Sequence, residues 1–321
     1  MLRRFALAAA LAAGFATAAA AQTVIKAGHG AQTGHPTHLA LERFAELVNG
    51  KTNGEVTVEV YPDRQLGEER EMVEGLQFGS VDMAVVSTGP LVAFVPEVAV
   101  IDLPFLFENS EHVYRTLDGE VGQELLDAFE ARGIEGLAWW ENGWRHLTAN
   151  KSIQTPADLA GLKLRTMQNP VHIAAFEELG AAPVPMVWGE VFTSLGQGII
   201  DAQENPITVI ATNSLWEVQS HLMLTGHVYG PHAALFSKAK WDSLSPEHQA
   251  AVTEAVREAT TYQREQSAKL EAENLEKLKQ NGMTVVEVDT APFREEVRDL
   301  AASQENVSAE TLERIAAQAQ Q

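Results

Sequence analysis

The sequence contains no cysteine. Disulfides, thiolate nucleophiles and cysteine-ligated metals are therefore excluded. Basic residues are scarce. Lys and Arg total 23 against 44 Asp and Glu, for a formal charge of −21. Such a surface repels nucleic acid and anionic lipid, and neither is an expected partner. An anionic ligand must then be held by a few local cations against an unfavourable overall field. Beyond the N-terminus no run is long and apolar enough to span a bilayer, so direct membrane insertion is not expected. The common catalytic signatures are missing too: H-E-x-x-H, G-x-S-x-G, a Walker loop and G-x-G-x-x-G. His35 and His38 lie three apart, but no carboxylate or third histidine completes a metal set. Glu68, Glu69 and Glu71 read as a solvated helix face, and no nucleophile–base–orienter set follows from spacing. The expectation is a protein that is not an enzyme and carries no cofactor.

What is present begins at the N-terminus. Arg3 and Arg4 form a short basic region, and an apolar run follows from Phe5 to about Ala20. Ala19 and Ala21 stand at the minus-three and minus-one positions of an A-x-A cleavage site. This is the layout of a secretory signal peptide, residues 1–21, with the mature chain beginning near Gln22 in the periplasm. Losing the two arginines takes the charge from −21 to −23. About 300 mature residues bury a sizeable core and divide readily into two lobes.

Short strand-like runs then alternate with amphipathic helices. Val24 to Ala27 reads as a strand, and Leu41, Phe44, Ala45 and Val48 fall on one helical face stopped by Asn49-Gly50. Val56 to Tyr61 alternates as a half-buried strand, Glu68 to Phe78 is helical, and Asp82 to Ser87 is a buried strand. The βαβα rhythm predicts an α/β protein with mostly parallel sheets. It restarts after Gly143, with a strand at Leu162 to Arg165 and helices at Val171 to Leu179 and Glu190 to Leu195. Two such units imply two lobes around a cleft, the usual place for a ligand. Ser245-Pro246 opens a helical stretch to about Gln280, either two helices or one crossing both lobes.

Unusual polar residues sit among apolar ones in four segments: Asn142-Gly143-Trp144-Arg145, Gly161 to Arg165, Pro185 to Val191 and Asp201 to Pro206. Arg165 ends an apolar strand, where a charge is partly buried and needs a partner. Two readings stand at this point. Its planar fork matches the two oxygens of a ligand carboxylate, or it closes a structural salt bridge with an internal acid.

The blocks FAELVNGKTNGEVTVEVYP (44–62), QLGEEREMVEGLQFGSVDM (65–83), DLPFLFENSEH (102–112), GLKLRTM (161–167) and DAQENP (201–206) occur in this order. With them the chain resembles, over nearly its whole mature length, the solute receptors of TRAP transporters, the DctP family. The resemblance implies a two-lobed α/β periplasmic binding-protein fold with a central cleft, crossed by two strands and a long lobe-spanning helix. The expected division is 22–142 plus 232–270 for lobe one and 143–231 plus 271–321 for lobe two. The implied partners are a small carboxylate and the membrane permease subunits, with the receptor itself a monomer.

The resemblance also implies site residues. Arg165 matches the arginine that pairs with the ligand carboxylate, Arg145 a second arginine reaching the same ligand, and Asn205 an asparagine assisting that grip. Trp188 matches an aromatic wall, although a core aromatic is its plain alternative. Gln168, Ser87, His29, His227 and Tyr229 complete the expected set. Ala202 stands where the family usually has Gly, and Ser87 where some sugar-acid receptors carry a carboxylate. The run from Arg165 to Pro170, with Trp188 to Val191, also resembles the ectoine-binding branch, which lacks an arginine at the position of Arg145. A dicarboxylate or sugar acid is the expected ligand, ectoine the alternative within the family. A secreted enzyme acting on a small carboxylate is the alternative from another class.

Overall fold

The computed structural model describes residues 22–319. The expected signal peptide and its cleavage site lie outside the described residues. Strand β1 (Thr23–His29) pairs in parallel with β2 (Val56–Tyr61) and β3 (Met83–Ser87). The intervening helices, Pro36–Lys51 and Glu69–Phe78, begin and end where local chemistry dictates. His35 caps the first through its ring nitrogen, and Pro36 supplies the pre-set φ of a first helical residue. Gly79, at φ 74°, closes the second in the left-handed conformation.

Two long strands, β4 (Ile134–Ala149) and β8 (His221–Ser237), lie antiparallel in the middle of the sheet. Beyond β4 come β7 (Ala202–Pro206), β5 (Lys163–Thr166) and β6 (Ala182–Pro185). The order is β2-β1-β3-β8-β4-β7-β5-β6, and β9 (Thr284–Glu287) pairs with β8. The expectation of mostly parallel pairing holds for five of the eight strand pairs and fails for the three central ones. The outer pairs are parallel, but β3/β8, β8/β4 and β4/β7 are antiparallel. The reason is that β4 and β8 are not parts of a βαβ unit. Each runs through both halves of the molecule and returns the chain from one to the other.

The largest apolar cluster, which includes Leu76, Val86, Leu164 and Phe176, runs through both halves, and each half also has a smaller core of its own. One gathers Ile25, Leu41, Phe44 and Val256, the other Val191, Ile210, Leu222 and Leu278. Pro246–Gln280 is one continuous 35-residue helix. Its first part buries Val252, Ala255, Val256 and Ala259 against the first core, and its last part buries Leu278 in the second. Both halves share this helix, as a two-lobed receptor requires. The expected lobe boundary falls inside β4 and β8. At the chain's end, helix Ala309–Gln318 packs on helices Ser110–Leu117 and Glu120–Asp127. Ile315 accepts a hydrogen bond from His112 Nε2 at 2.8 Å. The expected division had put these segments in different lobes.

The β4/β8 ladder carries a bulge where the halves meet. Glu141 pairs with Pro231 and Gly143 with Gly230, which leaves Asn142 without a partner residue. Gly143 takes φ 116°, a backbone region that a side chain would strain. Gln263 of the long helix clamps the bulge, accepting from the Glu141 N–H at 2.9 Å and donating to its carbonyl at 2.5 Å.

Candidate functional site

A cavity of about 600 Å³, counting the open space at its mouth, lies between the two halves. That is within the range of small-molecule sites. Its charged lining residues are Arg64, Glu68, Glu69 and Arg165. Strand alternation places Arg165: Leu164 faces the core, so Arg165 faces the other way. The residue is 3 % exposed. Its Nε and Nη2 both donate to the Met186 carbonyl, at 3.0 and 2.7 Å. Nη1 has no hydrogen bond among the described residues, and no carboxylate lies within 4 Å of the guanidinium. The ring of Trp188 stands 5.5 Å from Cζ. Burial pulls the Arg165 pKa down to about 10, partly offset by the charge of Glu204. It therefore remains a cation at neutral pH. The internal salt-bridge reading of Arg165 is corrected.

That salt bridge exists, but at Arg145. The 1 % exposed Arg145 grips the fully buried Glu204 through Nε and through Nη2 to Oε1 at 2.8 Å. Its Nη2 also reaches the Glu204 carbonyl at 2.8 Å and Asn205 Oδ1 at 3.2 Å. Burial alone would raise the Glu204 pKa. The Arg145 charge and a hydrogen bond from His227 overcome that and hold it well below the usual carboxylate range. Arg145 does not line the cavity, so its expected reach to the ligand is corrected: a buried carboxylate on the neighbouring strand has taken its fork.

The remaining expected residues divide. Asn205, Trp188, Ser87 and His29 line the cavity. Asn205 is largely committed, its Nδ2 donating to Gln203 at 2.7 Å. Ser87 gives both its N–H and its hydroxyl to Glu69 Oε1 at 2.8 Å, so it fixes a carboxylate where it was expected to read the ligand itself. His29 has both nitrogens engaged. Nδ1 accepts from the Ala31 N–H at 3.2 Å, which leaves Nε2 to donate to His38 Nδ1 at 3.1 Å. Gln168 lines a smaller adjoining hollow outside Trp188. His227 and Tyr229 are corrected: neither lines the cavity. His227 is held between Thr225 and Glu204, and Tyr229 packs edge-on against Phe107 and Trp144.

Several lining residues were not legible as site residues. Glu68 and Glu69, read as a solvated face, stand at the cavity wall because their helix begins at the cleft. Glu68 Oε1 accepts from the Gly189 N–H at 3.2 Å, a contact across the cleft. His35, His232 and Asn142 also line the cavity. His35 takes the Thr37 N–H on Nδ1 at 3.2 Å, and its ring hydrogen-bonds to the Asn142 side chain. Burial lowers the pKa of His29 to about 3 and of His35 to about 4, and pushes His232 well down. All three are neutral donors or acceptors at neutral pH. The clustering of His29, His35 and His38 within ten residues was the one available signal. Among the described residues no group of three or more His, Cys, Asp or Glu is placed to hold a metal. None of the helices there is long and apolar enough to cross a membrane.

Residues 27–306 match the model of the bacterial extracellular solute-binding protein family 7, DctP. The 2,3-diketo-L-gulonate-binding periplasmic protein YiaO of Escherichia coli is 38% identical over 294 residues, 90% of each chain. The C4-dicarboxylate-binding periplasmic protein DctP of Rhodobacter capsulatus is 38% identical over 242 residues, 74% of this chain and 72% of the other. A TRAP periplasmic solute-binding protein from Polaromonas sp. JS666, solved bound to D-erythronate, superposes with a TM-score of 0.89. It is 41% identical, and the alignment covers 92% of this chain and 98% of that one.

Proposed function

The chain belongs to family 7 of the bacterial extracellular solute-binding proteins, and on that premise we propose that it is the periplasmic receptor of a TRAP transporter. It captures a small organic acid by its carboxylate, as a monomer, and hands it to the membrane permease subunits. One observation carries the reading: Arg165 is a buried cation with a free N–H edge and no internal anion, at a cavity between two halves. An uncompensated buried cation is costly. A carboxylate entering the cavity removes that cost and satisfies the open side of the fork. Arg145 is not available as a second anchor, because Glu204 holds it.

The similar proteins named above carry acids, which favours an acid over an ectoine-type solute. The similar proteins are named as solute-binding receptors, so the binding reading is preferred to catalysis. Residues 22–142 with 232–270, and 143–231 with 271–321, form the proposed lobes, hinged at the bulge in β4, with helix Ala309–Gln318 of the second reaching back to pack on the first. The test is a thermal-shift screen of the mature protein against hydroxy acids, sugar acids, dicarboxylates and ectoine. A ligand at 100 times its dissociation constant stabilises the fold by about 2.7 kcal/mol. The acid should then be recovered chemically unchanged after denaturation. Stabilisation by ectoine alone, or recovery of a turned-over product, would reject the proposal.

A further inference from the structure

We infer that Glu68, braced by Arg64, caps helix Trp188–Gly196 from across the cleft, and that the two act as positioning residues for the ligand grip at Arg165. The inference rests on the carboxylate reading of Arg165 and adds what holds the seat of that arginine in place. Two observations carry it independently.

The first is a helix that its own chain does not cap. A good N-cap side chain carries an oxygen that accepts the N–H of the second or third helical residue. Val187 stands at that place with suitable backbone angles, φ −65° and ψ 152°, and makes no side-chain hydrogen bond. The second helical residue is Gly189, and its N–H goes to Glu68 Oε1 at 3.2 Å. Glu68 is 121 residues away in the chain and belongs to the other half of the molecule. A carboxylate suits this place, because the first turn of a helix is its positive end. Glycine leaves the approach open: a Cβ at 189 would stand 2.5 Å from Glu68 Oε1.

The second is the strained turn that carries Arg64. Asp63 and Arg64 take φ of 49° and 63°, two successive left-handed positions without a glycine. Such backbone costs free energy and persists where the surroundings hold it. Here the Asp63 and Arg64 N–H groups donate to the carbonyls of Ala31 and His29 at 3.0 and 3.1 Å. The turn sets Arg64 Nε 3.5 Å from Glu68 Oε1, with Nη1 on the Gly30 carbonyl at 3.2 Å and Nη2 on Asp63 Oδ1 at 2.5 Å. Each guanidinium nitrogen faces an oxygen, so Arg64 is a fixed brace with no free edge for a ligand. Burial raises the Glu68 pKa, and the Arg64 charge and the Gly189 N–H work against that rise.

The segment just before the capped helix is the seat of Arg165. The Met186 carbonyl accepts two of its N–H groups, and the Trp188 ring stands 5.5 Å from Cζ. Tying Gly189 to Glu68 fixes this corner against the other half. The grip on a carboxylate is then at its firmest when the cleft is shut.

Amide hydrogen exchange at Gly189, read by NMR on the mature protein without added ligand, tests the cap. Exchange should quicken about two- to tenfold in Glu68→Ala, the equivalent of one lost hydrogen bond. Glu68→Gln should keep most of the protection, since its side-chain carbonyl still accepts. Val187→Ser gives the helix a cap of its own, so protection should return when it is combined with Glu68→Ala. An unchanged rate in Glu68→Ala, or no recovery in the double variant, overturns the cap. Dissociation of D-erythronate in stopped flow tests the positioning role, with D-gluconate and succinate as further probes. Glu68→Ala should release the acid about two- to tenfold faster. Val187→Ser alone should do the same, because a helix capped by its own chain no longer needs Glu68. Wild-type dissociation in Val187→Ser, or a further acceleration when Glu68→Ala is added to it, assigns Glu68 to the ligand and overturns the positioning role. Failure of all three acids to bind rejects the carboxylate reading and the positioning role together, while the exchange rates still decide the cap. Melting temperature on each variant shows that it is folded.

Discussion

Arg165 and Arg145 are both buried, both in strands and both near Glu204, yet their substitutions should have opposite signatures. In Arg165→Ala the ligand anion is left in a buried cavity without its bidentate partner. Removing one side of such a pair costs about 2–5 kcal/mol, or roughly 30- to several-thousand-fold in affinity. The fold should suffer little. The Met186 carbonyl loses two donors, but a buried cation without an anion disappears with them, for a net change of about 1 kcal/mol. In Arg145→Ala the situation reverses. Glu204 is 0 % exposed and loses its bidentate partner while keeping only His227. Breaking a buried pair costs about 3–5 kcal/mol. At roughly 2 °C per kcal/mol for a chain of this size, the melting temperature should fall by at least about 6 °C. Arg165→Lys should restore affinity only in part, since a point charge cannot reproduce the fork. The assay is calorimetric affinity for the acid found by the thermal-shift screen, with scanning calorimetry on the same samples. Affinity within threefold of wild type in Arg165→Ala would refute its role as anchor. A large affinity loss with an unchanged melting temperature in Arg145→Ala would refute the division of labour between the two arginines.

Three further outcomes are expected. Acidification should destabilise the fold: His29, His35, His146 and His172 have folded pKa values depressed to about 3–4, so the unfolded chain binds the extra protons, and stability present above about pH 6.5 is lost as pH falls towards 4. Asp102, raised to about 7 by burial despite hydrogen bonds from Thr88 and Asn169, acts in the opposite sense, as do Glu68, Glu135, Glu141 and Glu271, which burial also raises, while the depressed His232 adds to the histidine side; a melting temperature that is flat or rises from pH 7 to pH 4.5 would contradict the dominance of the histidines. Gly189→Ala places a Cβ 2.5 Å from Glu68 Oε1 across the mouth of the cleft, so the flexible Glu68 side chain must swing away and release the Gly189 N–H; losing that cross-cleft hydrogen bond should weaken binding about two- to tenfold, read as faster dissociation in stopped flow, and an unchanged dissociation rate would show that this contact does not hold the cleft shut. Gln263→Leu strands the N–H and carbonyl of Glu141 at the bulge and should cost about 2–6 kcal/mol by denaturant unfolding, at about 1–3 kcal/mol for each buried group; a loss below about 1 kcal/mol would mean that water replaces the clamp.

Much of the fold was determined by the sequence alone, because it follows from interactions between residues close in the chain. Alternation specified Val56–Tyr61 as β2, and the 3.6-residue period marked the buried faces of the helices. Ser245-Pro246 opened the long helix as expected, Ser245 Oγ accepting the His248 N–H at 3.2 Å. The placing of Arg165 at a strand end was also local, and its prominence was legible before any contact was known. Tertiary structure alone decided which arginine is free. Arg145 and Arg165 look alike in sequence, and the difference is Glu204, 59 residues from Arg145 and buried beside it by the β4/β7 register. The same holds for the cavity wall. Glu68 and Glu69 follow a helix-face pattern that says nothing of where the helix begins, and His232 joins His35 only because β8 returns along β4. Periodicity reports which side of an element is apolar. Which charge is neutralised, and which polar atom is left without a partner, depends on burial beside groups distant in the chain, and that is settled only when the sheet is assembled.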